Sequence, residues 1–159
     1  MISRERVLDV AGQVVGVLPN YHPDAADINE ALDDGVASCA ARAYAAGLLL
    51  RGAYPNPDLY DIKFGFAPEH GTEYAGREGT YVRMGHAVVR FSVLGYKPMI
   101  VETYTDGAVE VMSPTEVHEG YTWMELDDGY QTYLDKAELD LVIRPRELLS
   151  HLLRCVADA

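Results

Sequence analysis

Cysteine is scarce in this chain: its 159 residues include only Cys39 and Cys155. Two thiols 116 positions apart form neither a disulfide framework nor a CxxC site. The expectation is a cytoplasmic protein with reduced thiols. Positive charge is also scarce, with 13 Lys and Arg against 25 Asp and Glu, a net charge of −12. That field opposes phosphate binding, so nucleic acid and an anionic membrane surface are excluded as expected partners, and a cationic or peptide partner is compatible. No apolar run approaches the roughly 20 residues of a spanning helix. The opening "MISRERVLDV" has charges where a signal peptide needs an apolar core. His22, His70, His118 and His151 show no HxxxH spacing and no neighbouring cysteine, so no metal and no cofactor is expected. Phenylalanine is rare too, three against eleven tyrosines, which suggests part-exposed aromatic surface of the kind that lines a cleft or a partner interface.

What is present is apolar substance, 48% of the residues, enough for one domain spanning 1–159 with a real core. Val7, Val10, Ala11, Val14, Val15 and Leu18 repeat at helical spacing over 3–18. Pro19 and "NYHPDA" end that helix, and "DAADINEALDDG" allows a further turn or two. From Val36 to Leu50 the chain is interrupted only by Ser38, Arg42 and Tyr44, which predicts a central helix buried on all sides. Its many alanines allow a sheet to approach closely, and Arg51-Gly52 reads as its end, with glycine as a left-handed cap.

Strand patterns follow. "LYDIKFGF" (59–66) alternates, 67–80 reads as a glycine-rich charged loop, and "YVRMGHAVVRFSVL" (81–94) reads as a long strand. "GYKP" turns into "MIVETY" (99–104), and Asp106-Gly107 signals a tight hairpin into "AVEVM". A further hairpin is expected around "LDDGY", and Pro145 opens a terminal amphipathic helix over 145–157. Helices first, then a meander, then a helix give an α+β fold, with N-terminal helices packed on an antiparallel sheet.

The first turn of a helix stabilises a thiolate through its free N–H groups and positive dipole end, and Cys39 stands at such a place. A thiolate nucleophile needs a base, and the base an orienting acid. His86 follows 47 residues later and Glu102 another 16 on. With a turn centred near Tyr96–Lys97, strict pairing sets Glu102 opposite a residue near Phe91, so a bulge or twist is needed to bring it to His86. Each residue also has a plain reading: Cys39 as a small core residue, His86 as a satisfied strand histidine, Glu102 as an outward strand position.

Cysteine opening a small-residue helix as "CAARA", then "GHAVVRF", then a carboxylate in "MIVETY" resembles the transglutaminase-like superfamily of papain-type enzymes. The resemblance covers about residues 33–105. It implies a nucleophile at Cys39, a base at His86 and an acid at Glu102, with histidine and acid on successive strands. It further implies a cysteine hydrolase or acyltransferase acting on a peptide or amide, as in small bacterial leader peptidases. The chain departs from the pattern in using glutamate where aspartate is usual, in Val88 where tryptophan is frequent, and in "VET" where "VDP" is usual. Asp106 is the fallback acid, and Asn29 and Tyr21 are the side chains considered for an oxyanion hole, Asp33 being a poor donor. The alternative from another class is a non-catalytic binding or assembly module on the same architecture.

Overall fold

The helix predicted to be buried all round is the centre of the molecule. The computed structural model describes residues 2–67 and 86–159. In it α3 (Cys39–Ala53) has twelve buried residues in an unbroken run from Cys39 to Leu50. The five-stranded sheet is wholly antiparallel, in the order β6-β5-β4-β3-β7. Its strands are β3 (Tyr60–Phe66), β4 (Ala87–Val93), β5 (Met99–Thr103), β6 (Val109–Met112) and β7 (Thr122–Glu125). The α+β expectation with an antiparallel sheet is met.

Three helices lie on one face of that sheet. α3 crosses β3, β4 and β5, α1 (Arg4–Val17) lies over β5 and β6, and α5 (Leu126–Lys136) lies over β3 and β7. α6 (Pro145–Asp158) packs behind α1 and α3, with Pro145 at its first turn as the sequence indicates. The main core fills this layer: Val89, Phe91 and Val101 from the sheet meet Val10, Val14, Ala43 and Ala46 from the helices. Val88 and Ile100, alternating to the other face, join Ala67 and Tyr121 in a smaller cluster with Trp123 packed on it. α4 (Glu116–Glu119) precedes β7.

Several local expectations change. α3 starts with Ser38 as N-cap, its hydroxyl accepting from Ala41 N–H at 3.3 Å. Val36–Ala37 instead form β2, paired in parallel with β1 (Asn20–Tyr21). Gly52 does not end α3, which runs on to Ala53; the left-handed glycine cap belongs to Gly35 (φ 75°), closing α2 (Ile28–Asp34). The long strand expected over 81–94 is described from Ala87, its first residues and most of the 67–80 loop lying outside the described residues.

The expected hairpin at "LDDGY" is the first half of α5. Leu126, Tyr130, Tyr133 and Leu134 are buried at i, i+4, i+7 and i+8, and Asp127 and Asp128 suit a helix N-terminus. Gly129 serves close approach instead of a turn: a Cβ there would stand 2.7 Å from Phe64 Cβ. Asp127 also accepts from Tyr44 Oη at 2.6 Å and from both terminal nitrogens of Arg51 at 2.7 and 3.0 Å, which locks α5 to α3.

Gly129→Ala separates local propensity from packing. Propensity favours alanine by about 1 kcal/mol in a helix interior. The collision with a β-carbon that cannot rotate away is expected to reverse this, giving a net loss of about 1–2 kcal/mol. Urea unfolding followed by circular dichroism checks it, and a stabilised variant would refute the close-packing account.

Candidate active site

Three residues far apart in sequence meet where the N-terminus of α3 faces the sheet. Cys39 is the first residue of α3 and 4% exposed. Its position leaves the opening N–H groups of the helix without intrahelical acceptors. His86 stands immediately before β4 and Glu102 within β5, each 1% exposed. His86 Nε2 is hydrogen-bonded to Glu102 Oε1.

The register explains how the histidine and the acid meet. β4 and β5 pair Val89 with Val101 and Phe91 with Met99, which centres the connection on Gly95. Gly95 takes a left-handed conformation (φ 84°) and Tyr96 N–H bonds back to Val93 C=O at 3.0 Å. The expected centre at Tyr96–Lys97 is therefore displaced. One step beyond the Val89–Val101 pair sets Glu102 level with Val88, and His86 is its diagonal neighbour, a span long side chains bridge without a bulge. Asp106, the fallback acid, is exposed in the β5–β6 hairpin and caps it by accepting from Ala108 N–H at 3.0 Å.

Burial alone would depress the His86 imidazole, but hydrogen bonding with Cys39 and with Glu102, and their charges, outweigh it and push its pKa up to about 10. For Glu102 burial is the largest influence and raises its pKa, the charge of Glu110 adding to it, while the bond and charge of His86 pull the other way. The two groups thus hold a proton between them in a place closed to water. Because Glu102 occupies Nε2, Nδ1 is the nitrogen left for Cys39; it is buried and makes no hydrogen bond of ordinary geometry among the described residues. The thiol is nonetheless close enough to bear on the ring's titration.

Two tyrosines complete the surroundings of the thiol. Tyr21 in β1, part-buried, has its pKa pushed up to about 12 by burial and then by Cys39, and its ring lies 5.8 Å from the Arg42 guanidinium. Tyr133 on α5 is 5% exposed, and its phenol is held well above the usual range by burial, then by the charge of Cys39 and Tyr21, with a hydrogen bond to Cys39 adding to it. Sequence reasoning misses Tyr133, since "LDDGY" suggests a turn; the spacing Leu126, Tyr130, Tyr133, Leu134 is the signal that finds it. Asn29 is exposed on α2, and the cavity it lines is shared with Val142 and Arg144 instead of Cys39. Of the two oxyanion candidates, Tyr21 is the one beside the thiol. Asp33 is exposed on the same helix as Asn29.

No family model, no curated protein and no solved structure matches the chain.

The two buried histidines carry opposite expectations. His118 (6% exposed) is depressed by burial and then by the charge on His86, whereas His86 is raised. Histidine side-chain NMR is therefore expected to find His86 still protonated at pH 8 and His118 more than half neutral at pH 6.5. The raised pKa of His86 adds stability that is complete below about pH 6.5 and is lost as pH rises toward 10. A His86 that titrates below 6.5 would remove the Glu102 and Cys39 contacts as its determinants.

Proposed function

We propose that the protein is a cysteine-dependent acyl-transfer enzyme of transglutaminase-like architecture, a peptidase, amidase or transamidase acting on a peptide or amide in the cytoplasm. The reading is carried by one observation: a buried imidazole is bonded at Nε2 to Glu102 and has Cys39, at the head of a buried helix, close enough to bear on its charge.

In this reading Cys39 has already given its proton to His86, and the thiolate sulfur attacks the substrate carbonyl. The tetrahedral oxyanion is met by the Cys39 backbone N–H and by Tyr21 as the side-chain donor. Collapse breaks the C–N bond, His86 Nδ1 protonates the departing amine, and a thioester remains on Cys39. Water, or an amine in a transamidation, then gives its proton to His86 as it attacks the thioester, and collapse returns the sulfur. Glu102 fixes the ring and stabilises the imidazolium at both steps. Tyr133, whose phenol feels the charge of Cys39, stands beside the sulfur between turns.

The near-complete burial of Cys39 favours a second reading, a non-catalytic binding or assembly module in which the same three residues are structural.

Alkylation separates the two. Cys155 is the more accessible thiol, so accessibility alone predicts that it reacts first. In the enzyme reading iodoacetamide at neutral pH labels Cys39 at least about tenfold faster than Cys155, since the thiolate is the reacting form. Glu102→Gln, which keeps the shape of the pair, is expected to reduce the preference, and His86→Ala to abolish it. Peptide mass spectrometry follows both sites. Slow labelling of Cys39 in a folded protein, with Cys155 ahead, would leave only the binding module.

A further inference from the structure

The sheet face away from α3 carries a cavity of about 600 Å³. Its walls include Arg90, Ile100, His118 and Trp123, with Glu116 and Glu119 at its exposed rim. A volume in this range suits a small organic ligand.

The walls are fixed before any ligand arrives. Trp123 in β7 pairs with Gly65 in β3, and a Cβ on Gly65 would stand 2.3 Å from the indole, so the ring lies against bare backbone. Its Nε1–H donates to His118 C=O at 3.2 Å, and Tyr121 stacks beside it with ring centres 5.9 Å apart. His118 Nδ1 accepts from Thr115 N–H at 2.9 Å, which assigns the proton of the neutral ring to Nε2. Arg90 spreads its guanidinium over the indole, 4.6 Å from the ring centre. Among the described residues that guanidinium has no carboxylate partner and no acceptor, so its donors are uncommitted.

The arrangement of charge selects the ligand. One guanidinium supplies a planar fork for one carboxylate. Two glutamates at the rim repel a phosphate dianion and complement an ammonium group. Pro98 and Pro114 supply an apolar wall between the two poles. We propose that this cavity binds an apolar α-amino acid, or a short apolar peptide, as a zwitterion: carboxylate on Arg90, ammonium toward Glu116 and Glu119, apolar side chain against Pro98 and Pro114. The site stands independently of any chemistry at Cys39, because its occupancy is read at Trp123.

Trp123 is the chain's single tryptophan, so its fluorescence reports this cavity alone. Titration with leucine and with leucyl-leucine is expected to give a saturable change. Tighter binding of the dipeptide identifies a peptide end, and tighter binding of leucine the free amino acid. Leucinamide lacks the carboxylate and N-acetylleucine lacks the ammonium, and each is expected to bind at least about tenfold more weakly, the worth of one charge-assisted contact. Arg90→Gln is expected to weaken leucine to the level of leucinamide, with an unchanged circular dichroism spectrum. No saturable change with either parent ligand up to about 10 mM, a concentration that fills any specific site of this kind, overturns the proposal. So does equal binding of leucine and its two blocked forms on the unaltered protein, a comparison that needs no variant to fold.

Discussion

Everything at the candidate site depends on the buried hydrogen bond between His86 and Glu102. An unpaired carboxylate at Glu102, 1% exposed, would carry a desolvation cost large enough to threaten a domain of this size. The imidazole supplies the missing partner, and Cys39 lies close enough to bear on the charge of the imidazole. Removing either His86 or Glu102 leaves an unsatisfied polar group in the interior, which is costlier than the bond itself is worth. The two residues are therefore coupled through stability.

The thiol comes close to that bond because α3 is small on the faces that meet the sheet. Ala40, Ala43 and Ala46 let the helix settle close to the strands, so its first residue reaches the histidine. Arg42 then fastens the same end of the helix: wholly buried, it donates from Nε to Leu18 C=O at 3.1 Å and from a terminal nitrogen to Tyr104 C=O at 2.8 Å. These contacts tie α3 to the end of α1 and to the exit of β5, the strand that carries Glu102. Burial lowers the pKa of Arg42, and Tyr21, Cys39 and Asp106 oppose the shift. A guanidinium held by neutral carbonyls so near the thiol makes that region electropositive, in a protein whose net charge is −12.

Much of this was legible in the sequence, and the parts that were not share a cause. The buried helix, the Asp106-Gly107 hairpin and the helix opened by Pro145 all announce themselves through periodicity or turn chemistry. The meeting of His86 and Glu102 depends on register, and a shift of the turn centre to Gly95 changes every pairing downstream. The left-handed Gly95 (φ 84°) marks that centre, and "GYKP" reads as readily as a turn centred near Tyr96–Lys97. Gly129 misleads in the opposite way, since a glycine required by a neighbour's ring looks the same as one required by a turn. The strand β7 is four residues long with no clear alternation of burial, so neither length nor period reveals it.

The two faces of the sheet divide the work according to what each can exclude. On the helix face water is shut out and a proton can be held between His86 and Glu102, at the cost of access to Cys39. On the other face the walls are open, with a guanidinium that has no carboxylate partner among the described residues and that a closed core could not tolerate. His118 connects them electrostatically, since the charge on His86 helps to keep it neutral. Protonation at the buried pair is therefore felt at the wall of the cavity, and by reciprocity a charge on His118 disfavours protonation of His86 by the same amount.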